Sequence, residues 1–204
     1  MTLSRPAPCR VMTQMDRDVE RSLVDRLRAG DTSAFDDLYE AYRPRVFSFL
    51  LRMSRSRTVA EDLLDETWLR LVRHARALQP DTRIGPWLFT VARNLHVSYC
   101  RTRAVESQVA TSLSLWPVRA AETPFDIAAR TEFEQRLDAA LGDLPVTLRE
   151  AILLVGVEGM RPAEAAAVCE ITSEAMRQRL RRARTLLAER LGYTMRELRL
   201  RTGA

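Results

Sequence analysis

The sequence contains no lysine, so all 32 of its basic residues are arginine. Histidine and cysteine are also scarce: there are two histidines, and Cys9, Cys100 and Cys169 lie far apart. Zinc sites and disulfide frameworks need clustered or paired ligands, so we expect neither a metal ion nor a cofactor. The sequence has no glycine-rich phosphate loop, nucleophile elbow or HExxH motif. We therefore expect a protein that is not an enzyme.

Long apolar runs are missing as well. No run approaches the ~20 residues that a membrane-spanning helix needs, so we expect no membrane insertion. The N-terminus lacks the apolar segment of a signal peptide, which predicts a cytoplasmic protein. The formal net charge is +5 and the pI is near 9.7. This charge favours an anionic partner, nucleic acid before membrane.

Helical periodicity runs through most of the chain, and no segment alternates as a strand would. The pattern predicts an all-α fold with two small helical domains joined by a flexible linker, the C-terminal domain containing a helix-turn-helix. The predicted segments are a disordered extension over 1–17, an N-terminal domain over 18–103, a linker over 104–124, a C-terminal domain over 125–192 and a basic tail over 193–204. Helices are predicted at about 18–29, 32–42, 44–54, 58–77 and 86–103.

Local signals mark the expected helix ends. Gly30 is predicted to stop one helix and Pro44 to start another. Two capping boxes are predicted to open later helices, Thr58-x-x-Glu61 and Thr147-x-x-Glu150.

Residues 162–187 predict two helices joined by a tight turn, with Cys169 packed between them. The second helix has apolar residues at helical spacing, which predicts a buried stripe: Met176, Leu180, Ala183, Leu187 and Leu191. Its other face carries Glu174, Gln178, Arg181 and Arg182, with Arg177 and Arg184 on the shoulder. This arrangement is typical of a recognition helix in the DNA major groove. The alternative is a solvated basic helix in an ordinary bundle.

The predicted helix over 58–77 also has two distinct faces. Its expected core stripe is Leu63, Leu64, Thr67, Trp68, Leu71, Val72 and Ala75. Opposite this stripe lie Asp62, Asp65 and Glu66, with Leu69 among them. An exposed leucine inside a polar rim is typical of a partner-binding surface. The alternative is an acidic face that is merely solvated.

The predicted helix from Pro86 carries arginines, an amide and aromatic side chains. Its expected buried residues are Leu88, Val91, Ala92, Leu95 and Tyr99. Its outer face is predicted to show Thr90, Arg93, Val97 and Arg101, with Trp87 and Asn94 towards one edge. Such a surface suits a single nucleic-acid strand with unstacked bases. For Trp87, the alternative is an ordinary core position.

Four stretches in this order resemble one family: AFDDLYEAYRPRVFSFLLR, VAEDLLDETWLRLVRH, PWLFTVARNLHVSYCRTR and LPVTLREAILLVGVEGMRPAEAAAVCEITSEAMRQRLRRARTLL. The chain resembles the extracytoplasmic-function (ECF) sigma factors, the two-domain initiation subunits of bacterial RNA polymerase. The resemblance implies partners: core RNA polymerase, through its β′ clamp helices and β subunit, promoter DNA and an anti-sigma factor. It also implies a monomer when free, with the catalytic magnesium held by the polymerase.

The resemblance further assigns site residues. Those that would bind the β′ clamp helices are Asp62, Asp65, Glu66 and Leu69. The loop over 78–85 and the next helix would bind the minus-ten strand, through Trp87, Thr90, Arg93, Asn94, Val97 and Arg101. The last long helix would read the minus-thirty-five element, through Thr172, Ser173, Glu174, Arg177, Gln178 and Arg181. Residues 104–124 would thread towards the polymerase's active-site and RNA-exit channels.

The helix-turn-helix departs from the family pattern. Glu170 stands at the corner that usually carries glycine, where a left-handed backbone costs about 1 kcal/mol. Glu174-Ala175 replaces a glycine-threonine pair, and Arg161 replaces a hydroxyl cap. Two other hypotheses stay open: a conventional helix-turn-helix regulator with an N-terminal sensing or protein-binding domain, and a helical adaptor that has lost DNA binding.

Overall fold

The computed structural model describes residues 17–110 and 132–192. Within those ranges the chain forms eight α-helices and no strand, which confirms the all-α prediction. The chain divides into two compact units, and the division falls between Gln135 and Arg136. None of the described helices is both long and apolar enough to cross a membrane.

The described part of the N-terminal unit contains four helices, α1 (Arg17–Arg28), α2 (Thr32–Ser54), α3 (Arg57–His74) and α4 (Ile84–Ala110). A single 3-10 turn, Ala75–Ala77, follows α3. The described part of the C-terminal unit contains α5 (Glu132–Gly142) from Arg136 onward, α6 (Val146–Ile152), α7 (Pro162–Val168) and α8 (Ser173–Leu191). One π-helical turn, Leu153–Val157, extends α6.

The core of the N-terminal unit lies between α2, α3 and α4, and α1 packs on α2. Its largest fully buried side chains include Leu38, Phe49, Leu71, Leu88 and Phe89. The rings of Phe49 and Phe89 meet edge to face with centroids 5.4 Å apart. Burying a side chain of this size contributes about 1.5–3 kcal/mol, so this contact holds α2 firmly against α4.

The end of α1 follows the sequence signal, but the predicted break at Pro44 is wrong. Gly30 has a φ of +88°, and the residue after it donates to the carbonyl of Arg26, so α1 ends in a Schellman motif. Pro44 instead lies inside α2 with its side chain exposed. Tyr42 and Val46 on either side are buried, so packing of one continuous stripe outweighs the hydrogen bond that proline removes.

The predicted capping box at the start of α3 is also wrong. Ser56 is the N-cap, and its hydroxyl accepts from the Val59 amide at 3.4 Å. Glu61 instead accepts from Arg57 at 3.0 Å. The predicted core stripe is confirmed except at Val72, which is 57% exposed because it lies beyond the edge that α2 and α4 cover.

Helix α4 is longer than predicted at both ends. It begins at Ile84, two residues before Pro86, and continues to Ala110. Residues 104–110, which the sequence pattern assigns to the linker, are therefore helical. The predictions for residues 1–16, 111–131 and 193–204 lie outside the described residues.

In the C-terminal unit, α6 and α7 pack against α8. The predicted stripe of α8 is confirmed in full, since all five of its residues are 5% exposed or less. Cys169 is buried, as predicted. The Thr172 hydroxyl caps α8 by accepting from the Ala175 amide at 3.1 Å.

The second predicted capping box is wrong, because Glu150 faces inward. Its carboxylate is buried and lies 3.7 Å from the Arg179 guanidinium of α8. The neighbouring Arg149 is buried too, and donates to the carbonyls of Leu141 at 2.9 Å and Leu144 at 3.1 Å. Arg149, which lies on α6, thus provides hydrogen-bond donors for carbonyl groups at the C-terminal end of α5.

The helix-turn-helix corner has the left-handed backbone that the sequence predicts, with Glu170 at φ +56°. The Glu170 amide donates to the Ala167 carbonyl, and the Ile171 amide donates to the Ala166 carbonyl. These two hydrogen bonds form a Schellman motif with glutamate in the position that glycine usually fills. At the start of α7, Glu164 accepts from the Arg161 amide at 3.0 Å, as the glutamate of a capping box does.

We predict that Glu170→Gly stabilises the C-terminal unit by about 0.5–1 kcal/mol, because it relieves the left-handed strain. The reverse change, Gly192→Ala, is the matched control. Gly192 has a φ of +70° and open space around its Cα, so alanine there should destabilise by strain alone. Chemical denaturation of the full chain followed by helical circular dichroism measures both. A destabilised Glu170→Gly would contradict the strain argument.

Candidate functional site

The acidic face of α3 comprises Asp62, Asp65, Glu66 and Leu69. The structure brings the four residues together on one exposed side of the helix, with Leu69 49% exposed. Glu66 accepts from Arg70 at 3.1 Å, whereas Asp62 and Asp65 make no ion pair within the described part of the chain. Leu69 and the neighbouring Val72 thus form an apolar pair beside two unneutralised carboxylates.

The outer face of α4 comprises Trp87, Thr90, Arg93, Asn94, Val97 and Arg101. Arg101 is exposed and the other five are half-buried, so the structure places them at the surface of one helix. Trp87 is therefore not an ordinary core residue; its ring lies 6.5 Å from that of His74. Arg93 donates to the Asn94 side-chain oxygen at 3.0 Å, which fixes the amide beside a cation.

The predicted core side of α4 differs in detail. Leu88, Ala92 and Leu95 are buried as predicted, whereas Val91 and Tyr99 are half-buried. The core residues of α4 that were not predicted include Ile84, Phe89 and His96. The buried stripe is therefore rotated towards Phe89, because this side chain fills the space against Phe49 of α2.

The arginine face of α8 comprises Thr172, Ser173, Glu174, Arg177, Gln178 and Arg181. All are exposed except the half-buried Ser173, and Arg182 is exposed beside them. Glu174 Oε2 accepts from Arg177 Nε at 3.1 Å and from Arg177 Nη2 at 2.7 Å. This pair holds the pKa of Glu174 below its ordinary value, chiefly through the Arg177 hydrogen bonds.

The sequence interpretation missed Glu20. Its carboxylate is 3% exposed and accepts from the Gly85 amide and the Arg83 guanidinium, each at 3.0 Å. It also lies 3.5 Å from the Tyr42 hydroxyl, and burial together with this negative charge raises the pKa of Tyr42 to about 12. The signal was present, since Glu20 occupies the first position of the stripe completed by Leu23, Val24 and Leu27.

The cysteines and histidines form no metal centre in the described ranges, where no three His, Cys, Asp or Glu side chains are grouped to hold an ion. Cys100 Sγ lies 3.6 Å from His96 Nε2. Burial raises the pKa of the Cys100 thiol, which disfavours the reactive thiolate.

Two family models match the chain: Sigma-70 region 2 over residues 38–105, and Sigma-70, region 4 over residues 134–187. The RNA polymerase sigma factor CarQ of Myxococcus xanthus is 36% identical over 170 residues, which cover 83% of this chain and 95% of CarQ. ECF sigma factor SigM of Bacillus subtilis (strain 168) is 32% identical, over 74% of this chain and 91% of SigM. The chain belongs to the ECF sigma factor family.

Two solved structures share the fold. The sigma factor RpoE of Bartonella quintana, solved with its anti-sigma factor NepR, superposes with a TM-score of 0.67 at 27% identity, covering 78% of this chain and 96% of RpoE. CnrH, solved with the cytosolic domain of CnrY, has a TM-score of 0.66 at 22% identity, covering 86% of this chain and 98% of CnrH.

This sigma factor is an alternative subunit of RNA polymerase, and the hypothesis of a conventional regulator is not favoured. The acidic face and the outer face of α4 both lie inside the region 2 match. The arginine face of α8 lies inside the region 4 match. Each predicted surface therefore falls in a segment that the family shares.

We predict that Arg177→Ala raises the pKa of Glu174 towards its ordinary value, because the two hydrogen bonds that stabilise the carboxylate are lost. In the unmodified chain the pair is complete at neutral pH and is lost as the pH falls through the lowered pKa. Carboxyl-detected NMR titration measures the midpoint. Arg182→Ala, an equal charge change on the same helix, should leave it unmoved. An unchanged midpoint in Arg177→Ala would show that the pair does not persist in solution.

Proposed function

We propose that this sigma factor binds core RNA polymerase through the acidic face of α3 and reads promoter DNA through α4 and α8. The observation that carries the proposal is Leu69, half exposed beside Val72 and next to two carboxylates without ion pairs. A soluble domain gains no stability from apolar side chains held in water, so such a cluster is best explained by a partner.

The acidic face suits a basic, partly apolar helical surface such as the clamp helices of the β′ subunit. Burial of Leu69 and Val72 would supply hydrophobic stabilisation, and the carboxylates of Asp62 and Asp65 would select cationic side chains at the rim. Because α3 is held by its buried side from Leu63 to Leu71, this face is presented without rearrangement.

We predict that Asp65→Arg lowers the affinity for core polymerase at least about tenfold, because a like charge then meets the basic partner. Asp143→Arg is the matched control, with the same charge change at an exposed position of the C-terminal unit. Binding of labelled protein to purified core polymerase measures both. Unchanged affinity in Asp65→Arg, with the helical content intact, would remove the acidic face from the interface.

The two DNA-binding surfaces differ in the form of DNA that they suit. The outer face of α4 offers an arginine-held amide, half-buried Trp87 and exposed Arg101, a set that suits an unstacked strand. We propose that it captures the minus-ten strand together with the loop before α4. The arginine face of α8 offers a regular helix surface for the major groove of the minus-thirty-five duplex.

We predict that Arg181→Ala weakens holoenzyme binding to its promoter by about 1–3 kcal/mol. If Arg181 contacts a base, its loss should relax selectivity at one position of the promoter. If Arg181 contacts a phosphate, its loss should weaken binding to all sequences alike and lower the salt dependence. Arg21→Ala, an exposed arginine of α1, controls for net charge. Promoter binding at several salt concentrations measures the effect. Equal affinities for the two variants would argue against α8 as the recognition helix.

In vitro transcription tests the function as a whole. Purified core polymerase, this protein and the DNA upstream of its own gene should give a transcript with a defined start. Core binding without initiation on any promoter fragment would restrict the function to polymerase binding. Absence of core binding would overturn the proposal and favour the conventional regulator.

We also infer an anti-sigma partner, because RpoE of Bartonella quintana was solved with one and shares this fold at 27% identity. Such a protein would cover polymerase-binding or DNA-binding faces of the monomeric free chain, in the cytoplasm where RNA polymerase works. A candidate that binds the chain and prevents core binding or promoter binding would qualify. A candidate that leaves both intact would not. The chain would supply binding and strand separation, with catalysis left to the polymerase.

A further inference from the structure

Helix α4 begins without a capping side chain from its own sequence. The residue before its first helical position is Arg83, whose guanidinium carries donors only and cannot accept from a backbone amide. The amide that a capping side chain would normally satisfy belongs to Gly85, and Gly85 is buried. The helix therefore depends on an acceptor from elsewhere in the chain.

Glu20 of α1 supplies that acceptor from 65 residues away. Its Oε1 accepts from the Gly85 amide at 3.0 Å, and its Oε2 accepts from Arg83 Nε at 3.0 Å. A carboxylate at a helix N-terminus is favoured by the exposed amides and by the helix dipole. One buried side chain thus holds both the last residue of the loop and the first turn of α4.

Tyr42 packs closely against Gly85 beside this contact. A side chain on Gly85 would place its Cβ 3.1 Å from the Tyr42 hydroxyl oxygen, so Tyr42 would have to give by a few tenths of an ångström to admit it. The Tyr42 ring is in turn covered by the Arg45 guanidinium at 5.0 Å from its centroid. We call Glu20, Tyr42, Arg83 and Gly85 the Glu20 cluster.

We propose that Glu20 is a positioning residue for minus-ten recognition, acting through the loop and first turn of α4 that it anchors. This inference rests on the proposed function, in which that loop and the outer face of α4 capture the minus-ten strand. Trp87 lies only two residues after Gly85, so a shift of the first turn displaces the aromatic edge of the surface. Helix α1 therefore contributes to promoter selectivity without contacting DNA.

The test is selectivity of reconstituted holoenzyme for single-stranded minus-ten oligonucleotides, taken from the promoter that start-site mapping identifies. Selectivity is the ratio of affinities for the natural strand and for strands with one base replaced. Glu20→Ala should lower this ratio about tenfold, because it removes hydrogen bonds to a buried charged group. Glu20→Gln keeps one acceptor for the Gly85 amide and should lie between Glu20→Ala and the unmodified protein.

A purely structural role predicts something different. Leu27→Ala, a buried change on the same helix, destabilises the unit without touching the cluster. It should reduce the active fraction while leaving the selectivity ratio of the folded protein unchanged. The affinity for core polymerase depends on α3, so it should stay within about twofold of the unmodified protein in every variant that folds. A twofold change in affinity corresponds to less than about 0.5 kcal/mol.

The outcomes separate the two hypotheses. If both Glu20→Ala and Leu27→Ala keep the selectivity ratio of the unmodified protein, or if both lower it equally, Glu20 serves stability alone. The inference is then overturned, while the proposed function stands. If the unmodified holoenzyme shows no preference among minus-ten strands, both are overturned. If the ratio falls in Glu20→Ala but not in Leu27→Ala, Glu20 sets the geometry of the minus-ten surface.

Discussion

The unpaired backbone groups at helix ends are the constraint on which both units depend. A helix leaves its first amides and last carbonyls without internal partners, and burying such a group unpaired costs about 1–3 kcal/mol. In the N-terminal unit the start of α4 is satisfied by Glu20, and in the C-terminal unit the end of α5 is satisfied by Arg149. Because both side chains come from other helices, satisfying a helix end also fixes how helices lie within each unit.

Contacts of this kind fix the rotation of each helix about its axis, and the rotation decides which side chains are buried and which face solvent. Once Leu63 and Leu71 are buried on α3, the spacing of 3.6 residues per turn directs Asp65 and Leu69 outward. The same reasoning holds for α8, where burial of Met176 and Leu180 leaves Arg181 in solvent. The surfaces proposed to bind polymerase and DNA are thus the reverse sides of the core stripes, and a change that rotates a helix would alter both.

The sequence predicted what local periodicity decides. The buried stripe of α8, the exposed Leu69 and the left-handed backbone at Glu170 follow from spacing and residue type within one or two turns. The wrong predictions are of another kind. Pro44 fails as a helix start because packing on both sides overrides a local signal, and Val72 fails because only the neighbouring helices determine where the core ends.

Polar contacts between residues distant in sequence could not be predicted, because they too depend on how the helices pack. The Glu150 carboxylate matched a local capping pattern, yet in the folded unit it lies near Arg179 on α8. The apolar stripe of α1 indicates that Glu20 is buried, but its partners Arg83 and Gly85 lie more than sixty residues further along the chain. Nothing in a single sequence indicates which distant donor a buried carboxylate will meet.

Composition gives only the total charge of α8, whereas the structure shows which of its arginines are paired with carboxylates. Arg177 is engaged with Glu174, and Arg179 turns inward towards Glu150. Arg181 and Arg182 remain exposed and make no ion pair among the residues that the structure describes. On the exposed face beyond Glu174, the uncompensated positive charge therefore lies at these two positions, about two turns after Glu174. Phosphates approaching α8 would meet the strongest attraction there, and would have to displace a carboxylate to reach Arg177.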